Sequence, residues 1–231
     1  MTQTQTGEYT AKDIQVLEGL EAVRVRPGMY IGSTDQRGLH HLVYEILDNA
    51  VDEAMAGYCE RVEISISEEG WITVADNGRG IPIDKHAKTG KSALETVMTT
   101  LHAGGKFGGG AYKVTGGLHG VGGSVVNALS EELRAEIRRQ GWTYSQEYER
   151  GKPSTGLLKG EKTNEHGTTV SFKPDSQIFP IIEYDFELLI SHFKEIAYLN
   201  KGLEIAFTSP WHNERRKGDV ERTYFFDGGI A

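Results

Sequence analysis

The sequence predicts an α+β fold, a two-layer sandwich in which a mixed, mostly antiparallel sheet carries helices on one face. Three observations lead to this prediction. Residues 39–55 repeat apolar side chains at helical spacing without glycine or proline. Residues 61–67 and 71–75 alternate polar and apolar side chains around a Glu-Glu-Gly turn, as in a β-hairpin. Further alternating stretches follow from residue 133 onward, so helices come early and strands dominate later.

Composition describes an ordinary globular chain. With 231 residues, 38% hydrophobic and 25% charged, the chain can bury a sizeable core. A net charge of −8 disfavours a broad nucleic acid surface, and no apolar run reaches the length of a membrane span. The polar first ten residues lack the apolar core of a signal peptide, so we expect a cytoplasmic protein with no membrane partner. The single Cys59 excludes an internal disulfide and is interpreted as a packed residue.

Two parts are expected along the chain. Residues 1–15 are polar and rich in Thr and Gln, which is typical of an N-terminal arm without its own core. Tyr9 and Ile14 are the candidate anchors of that arm. Residues 16–231 form the folded domain, which opens with a short helix that ends at Pro27-Gly28.

The long helix at residues 39–55 carries the first candidate chemistry. Glu45, Asn49 and Asp52 are spaced i, i+4 and i+7, so they project from one edge beside the apolar stripe. An Asn oxygen suits a hard cation such as Mg²⁺, and a Glu one turn earlier can take a proton from a water that attacks phosphorus. The alternative is a solvated acidic helix face without a function.

A second candidate lies where the hairpin ends. Residues 76–82 read Asp-Asn-Gly-Arg-Gly-Ile-Pro, a carboxylate followed by residues that favour a tight turn. Asp76 is therefore predicted at the mouth of the sheet. A turn without a function would look much the same when taken alone.

The third candidate is a glycine-rich segment. Ser92 caps a short helix at residues 92–101, and residues 103–123 then contain ten glycines. This segment runs into a helix at residues 125–129, an arrangement typical of anion sites and suited to a triphosphate. It lacks the Gly-x-x-x-x-Gly-Lys-[Ser/Thr] pattern of a P-loop, and no Gly-x-Gly-x-x-Gly follows a strand in a βαβ unit.

The remaining pattern predicts strands and one more helix. Strands are predicted at residues 133–139, 143–150, 168–172, 203–207 and 222–226, and a helix at residues 186–200. We find no internal repeat.

Taken in order, these motifs resemble a known superfamily. Residues 45–53, 76–82 and 117–122 are similar to the three motifs of the Bergerat-fold ATPases, which include gyrase B, a heat-shock chaperone, sensor histidine kinases and MutL. Residues 16–24, 26–32, 38–41 and 101–107 are similar to the bacterial type II topoisomerase branch, the gyrase B and topoisomerase IV ParE subunits. The resemblance covers essentially the whole chain.

The resemblance implies roles for individual residues. Asn49 would coordinate Mg²⁺ with bound ATP, Glu45 would polarise the attacking water, and Asp76 would accept a hydrogen bond from the adenine amino group. Thr168 would support Asp76, often through water. The other residues implied to contact the nucleotide are Tyr9, Gly80, Ile81, Pro82, Gly105, Lys106, Tyr112, Lys113, Leu118, His119, Gly120, Val121 and Gly122. The inhibitor pocket of the family implies Glu53, Asp76, Arg79, Pro82, Arg139 and Thr168, with Arg79 pairing with Glu53 and Arg139 at the mouth.

Partners and reaction are implied in the same way. The resemblance implies an ATP-hydrolysing type II topoisomerase whose N-terminal arms join two copies of the subunit when ATP binds. A gyrase A-type subunit and DNA would be engaged by domains outside this chain. The transducer, DNA-cleavage and metal-binding C-terminal domains are expected to be absent, and with them the lysine that the transducer donates to the terminal phosphate. We therefore expect ATP binding with weak turnover.

Alternative interpretations stay open at this point. A ParE subunit of topoisomerase IV is a close alternative to a gyrase B subunit. A nucleotide-gated clamp like MutL or the chaperone belongs to a different class, which the pattern of residues 16–32 disfavours. A histidine kinase is disfavoured because no phosphoacceptor helix pair precedes the site.

Overall fold

A computed structural model of the chain describes residues 17–101, 103 and 122–228. Within these residues the fold contains six α-helices, a nine-stranded sheet and a short 3-10 helix. The helices are α1 (Gly19–Val25), α2 (Gly28–Ile31), α3 (Gln36–Met55), α4 (Ala93–Thr99), α5 (Gly122–Ala128) and α6 (Phe186–Leu199). The strands are β1 (Arg61–Ile66), β2 (Ile72–Asp76), β3 (Ser130–Arg139), β4 (Trp142–Glu149), β5 (Lys152–Pro153), β6 (Leu158–Lys162), β7 (Gly167–Pro174), β8 (Glu204–Thr208) and β9 (Glu221–Tyr224).

The sheet is mixed and mostly antiparallel, as predicted. Its order is β5-β4-β3-β7-β2-β1-β8-β9, and β6 pairs with β4 beside β5. Among the described strand pairs, only β1 and β8 run parallel. The connection from β7 to β8 contains α6, which supplies the crossover that a non-hairpin connection needs. The strand β2, which ends at Asp76, therefore lies in the middle of the sheet.

Helices cover one face of the sheet. On β1, Val62, Ile64 and Ile66 are buried, whereas the alternating Arg61 and Glu63 are exposed. Helix α3 packs on β2, α5 packs on β3 and β4, and α6 packs on β8 and β9. The two-layer α+β sandwich predicted from the sequence is confirmed. None of the described helices combines the length and apolar character that crossing a membrane requires.

Local signals explain where the helices begin. Asp35 is the N-cap of α3, and its side chain accepts a hydrogen bond from the Arg37 N–H. Ser92 caps α4 in the same way by accepting from the Glu95 N–H. Gly57 has a φ of +82°, a left-handed conformation that suits glycine, just after α3 ends. The cap at Ser92 was expected from the sequence.

The structure contains elements that were not predicted from the sequence. Gly28–Ile31 form a short helix, α2, before α3. Strands β5 and β6 were not predicted, because all five residues of β6 are exposed and show no alternation. Cys59 is buried, in agreement with its interpretation as a packed residue.

Candidate functional site

Helix α3 presents three polar side chains at successive turns. Glu45 and Glu53 are partly buried, with side chains 21% and 13% exposed, and Asn49 between them is exposed. Spacing of four residues places the three on one side of the helix. Asp52, which was predicted on the same edge beside the apolar stripe, is almost completely buried, with 1% exposure. We call Glu45 and Asn49 the helix edge.

Glu45 is held by its neighbours. The Nε2 atom of His41 lies 3.0 Å from the Glu45 carboxylate, one helical turn away. This hydrogen bond raises the pKa of His41 above its ordinary value, although partial burial opposes the shift. Gly122 packs directly on Glu45, because a Cβ atom placed on Gly122 would lie 2.4 Å from the Glu45 carboxylate. A carboxylate in this position can accept a proton from a water that approaches the helix edge.

Asp76 lies at the C-terminal end of β2. Its Oδ1 atom accepts hydrogen bonds from the Gly78 N–H at 2.8 Å and from the Thr168 N–H at 3.2 Å. All the hydrogen bonds that described residues make to this carboxylate end on Oδ1. Burial raises the pKa of Asp76 to about 6, and the Glu53 carboxylate adds to the rise, although these two N–H groups and Arg138 act in the opposite direction.

The turn after Asp76 is fixed by close packing. The Ile81 N–H donates to Thr168 Oγ1 at 3.3 Å, which joins the turn to the start of β7. Gly167 has a φ of +134°, and a Cβ there would lie 1.9 Å from the Asp76 carbonyl oxygen, so only glycine fits. We call Asp76, Gly78, Gly80, Ile81 and Thr168 the turn pocket. Pro82, also expected at this wall, follows Ile81 and is exposed.

An ion pair joins the turn to α3. The Arg79 guanidinium donates to both carboxylate oxygens of Glu53, at 2.8 and 3.0 Å, and the Arg79 N–H also donates to Glu53. The same guanidinium stacks on the Tyr58 ring, with 3.8 Å to the ring centroid. The pairing of Arg79 with Glu53 follows the sequence prediction.

Two arginines at the end of β3 complete the turn. Arg139 Nη1 donates to the carbonyl oxygens of Arg79 and Gly80, at 3.0 and 2.8 Å. Arg138 donates to the Asp76 carbonyl oxygen at 3.2 Å and to Thr169 Oγ1 at 2.8 Å. Arg139 was singled out from the sequence, whereas Arg138 was missed.

The structure therefore brings many of the expected residues together. Glu45, Asn49, Glu53, Asp76, Arg79, Gly80, Ile81, Pro82, Gly122, Arg139 and Thr168 all lie on α3, at the end of β2, or on the adjoining ends of α5, β3 and β7. Sequence reasoning missed His41, Arg138 and Gly167. For His41 a signal was present, since it stands four residues before Glu45 on the same helix. The remaining expected site residues lie outside the described residues: Tyr9, Gly105, Lys106, Tyr112, Lys113, Leu118, His119, Gly120 and Val121.

The described residues offer Mg²⁺ few protein ligands. Within residues 17–101, 103 and 122–228, no group of three or more His, Cys, Asp or Glu side chains is arranged to hold a metal ion. Asn49 offers a carboxamide oxygen one helical turn from the Glu45 carboxylate. Mg²⁺ commonly uses one or two protein oxygens together with substrate phosphates and water. The helix edge fits that mode of binding and does not form an all-protein cage.

Comparison with known proteins agrees with this geometry. Residues 34–178 match the family described as histidine kinase-, DNA gyrase B-, and HSP90-like ATPase. The chain is 58% identical over its full length to the DNA gyrase B protein of Synechocystis sp., and 55% identical over 97% of its length to that of Thermotoga maritima. These alignments span 21% and 34% of the two relatives, so the chain covers about a fifth to a third of their length.

A solved structure gives the same result at the level of the fold. The 43K ATPase domain of Thermus thermophilus gyrase B, in complex with an aminocoumarin, superposes with a TM-score of 0.80 at 41% identity. The match covers 92% of this chain and 52% of that one. With the family match covering more than half of its residues, the chain belongs to the histidine kinase-, DNA gyrase B- and HSP90-like ATPases, and it is similar along its whole length to DNA gyrase B.

Proposed function

We propose that this chain is the ATP-binding and ATP-hydrolysing domain of a DNA gyrase B protein. The observation that carries the proposal is the turn pocket. Two backbone N–H groups hold one oxygen of Asp76 and orient the carboxylate, so the other oxygen can accept a hydrogen bond. The adenine amino group is a matching donor, whereas guanine carries a carbonyl oxygen at the corresponding edge. An oriented acceptor of this kind favours adenine nucleotides.

The helix edge supplies the proposed chemistry. With adenine in the turn pocket, the triphosphate extends along α3 toward Glu45 and Asn49. Glu45 accepts a proton from the water that attacks the terminal phosphorus, and His41 holds the Glu45 carboxylate in place. Asn49 is the proposed protein ligand of Mg²⁺, which neutralises phosphate charge when it is bound. The products are ADP and inorganic phosphate.

The glycine-rich segment completes the proposal. Lys106, Tyr112 and Lys113, with the backbone of residues 118–122, are proposed to enclose the phosphates. Tyr9 is proposed to contact nucleotide at the junction between two subunits. The partners are a second copy of the subunit, joined through the N-terminal arm, and a gyrase A-type subunit with DNA, engaged by other parts of the protein. ATP-driven closure of this dimer would be coupled to DNA strand passage and negative supercoiling in the cytoplasm.

The site also supports a proposal about inhibitors. The solved relative is in complex with an aminocoumarin, so this class of antibiotic is the first to test on this chain. Glu53, Arg79 and Arg139 are the proposed contacts, with Asp76, Pro82 and Thr168, because they border the turn pocket. Competition between an aminocoumarin and a nonhydrolysable ATP analogue would test whether the two share this site.

Two experiments test the proposed function. Calorimetric titration of this chain with a nonhydrolysable ATP analogue and Mg²⁺ should show saturable binding, and the matching GTP analogue should bind much more weakly. Equal affinity for the two analogues would contradict the role of Asp76. With the complete subunit and its partner, ATP-dependent supercoiling is expected to exceed decatenation. The opposite preference would favour the topoisomerase IV interpretation.

A further inference from the structure

The short helix α5 joins two parts of the molecule that are far apart in sequence. All seven of its residues are buried. Its first residue, Gly122, packs against Glu45 on the helix edge. Its last residue, Ala128, is contacted by Arg24 from the last turn of α1. A displacement of α5 along its axis would therefore reach the carboxylate of Glu45.

Arg24 holds the C-terminal end of α5 firmly. Its Nη1 atom donates to the Ala128 carbonyl oxygen at 2.7 Å, and its Nη2 atom donates to Asp175 Oδ2, also at 2.7 Å. The carbonyl at a helix C-terminus carries partial negative charge, so a guanidinium is favoured there. One planar side chain thus connects α1, α5 and the residue after β7.

Asp175 anchors that guanidinium. The Asp175 side chain is completely buried and also accepts from Arg150 Nε at 2.9 Å and from the Gln177 N–H at 2.9 Å. Burial acts to raise the pKa of Asp175, but the Gln177 N–H and the two guanidinium groups hold that pKa below its ordinary value. Asp175 is therefore a fixed negative charge that orients Arg24.

Close contact at the other end of α5 leaves little free space. The space beside Gly122 is filled by the Glu45 side chain, whose Cβ would lie 3.1 Å from a Cβ placed on the glycine. Within the helix, the Asn127 side-chain amide donates to the Met98 carbonyl oxygen at 2.8 Å, which fixes α5 against α4. Closely packed elements transmit small shifts because no empty space absorbs them.

We infer that Arg24 is a positioning residue for ATP hydrolysis: through its hydrogen bond to the Ala128 carbonyl it sets the position of α5, and through Gly122 the position of Glu45. This inference rests on the proposed function of Glu45.

The test compares Arg24→Ala with the matched control Arg150→Ala. Both substitutions remove one guanidinium from buried Asp175, but only Arg24 donates to α5. Turnover of ATP is measured in the complete subunit, and affinity for a nonhydrolysable ATP analogue is measured on this chain. We expect Arg24→Ala to lower kcat about tenfold, because small misplacements of a reacting group are costly. We expect the affinity of Arg24→Ala for the ATP analogue to change by less than about threefold. In Arg150→Ala, both kcat and this affinity should change by less than about threefold.

A spectroscopic measurement reports on Glu45 directly. The hydrogen bond from His41 to Glu45 raises the pKa of His41, and NMR titration of this chain can follow that imidazole. Arg24→Ala should bring the pKa of His41 back toward its ordinary value, whereas Arg150→Ala should leave it as in the wild type. Arg24→Lys keeps the positive charge but loses the planar set of guanidinium donors. The pKa of His41 in this variant should lie between its values in the wild type and in Arg24→Ala.

The outcomes separate the two proposals. If the wild-type protein neither binds nor hydrolyses ATP, the proposed function fails before any variant is compared. If the wild type is active but both variants lose turnover equally, or the pKa of His41 stays unchanged in Arg24→Ala, Arg24 only stabilises the fold and the inference is overturned. Thermal melting of each variant shows whether a loss of turnover reflects unfolding instead.

Discussion

Asp76 in the turn pocket is held by two backbone N–H groups, whereas Glu45 on the helix edge accepts its hydrogen bond from the partly exposed side chain of His41. Backbone groups in a closely packed strand or turn have few alternative positions, and side chains on a helix have several. The turn pocket is therefore organised before ligand arrives. The geometry of the helix edge depends on neighbouring elements, which include α5.

The substitution with the largest expected effect removes the carboxylate of the helix edge. Glu45→Ala in the complete subunit should lower kcat for ATP by about a hundredfold or more, because general-base assistance contributes about that much. Affinity for a nonhydrolysable ATP analogue should stay close to that of the wild type. Steady-state ATPase assays and calorimetry measure the two quantities. Unchanged hydrolysis would refute the assignment of Glu45.

A glycine substitution tests how rigid the turn pocket is. In Gly167→Ala the new methyl carbon would lie 1.9 Å from the Asp76 carbonyl oxygen, so we expect a loss of about 3 kcal/mol in the free energy of unfolding. Gly156 is the matched control, because among the described residues no atom beyond its chain neighbours lies within 4 Å of the place that a methyl group would take there. Gly156→Ala should change stability by less than about 0.5 kcal/mol. Chemical denaturation measures the free energy of unfolding of both variants. Equal values would show that the turn pocket accommodates the added methyl group at little cost.

The next prediction concerns the charge of Asp76. In Asp76→Asn the remaining side-chain oxygen can still accept hydrogen bonds from the Gly78 and Thr168 N–H groups. The new NH₂ group would then face the adenine amino group, and two donors cannot form a hydrogen bond with each other. We expect the affinity for the ATP analogue to fall at least about tenfold, which corresponds to one lost hydrogen bond to a charged group. Asp84→Asn, at an exposed position, serves as the control in the same titrations. Retained affinity in Asp76→Asn would discredit the adenine contact.

The smallest expected effect is a dependence on pH. Because the pKa of Asp76 is raised to about 6, its carboxylate protonates as pH falls through that value, and analogue affinity should decrease severalfold from about pH 7.5 to about pH 5.5. Since the folded-state pKa exceeds the ordinary 3.8, this group contributes stability that is present below about pH 4 and lost as pH rises through about 6. Asp76→Asn should remove both dependences, as titration calorimetry and thermal melts at several pH values would show.

Much of the fold could be predicted because its elements follow local rules. The period of the apolar residues identified α3 and α6, and alternation identified the β1–β2 hairpin, which pairs Ile66 with Ile72 as a tight connection requires. The parallel pairing of β1 with β8 was not predicted, because it joins residues about 140 positions apart and no local pattern encodes it. Strand β6 was missed because its side chains are all exposed.

The site was predictable to a similar degree. Spacing on one helix was enough to select Glu45 and Asn49, and the turn signal was enough to select Asp76. The roles of Arg138 and Gly167 depend on contacts between β3, β7 and the end of β2, which only the tertiary arrangement provides. Asp52 shows the limit of helical spacing, since a position at the border of an apolar stripe can turn either outward or into the core.

Helix α3 also fixes the distance between Glu45 and the turn pocket. Glu53, the partner of Arg79 beside the turn pocket, lies eight positions after Glu45, and at 1.5 Å per residue this is about 12 Å along the axis. In the proposed binding mode, one rigid helix would therefore set the distance between the base at the turn pocket and the terminal phosphate at Glu45. A nucleotide that lacks the terminal phosphate would leave Glu45 without its target.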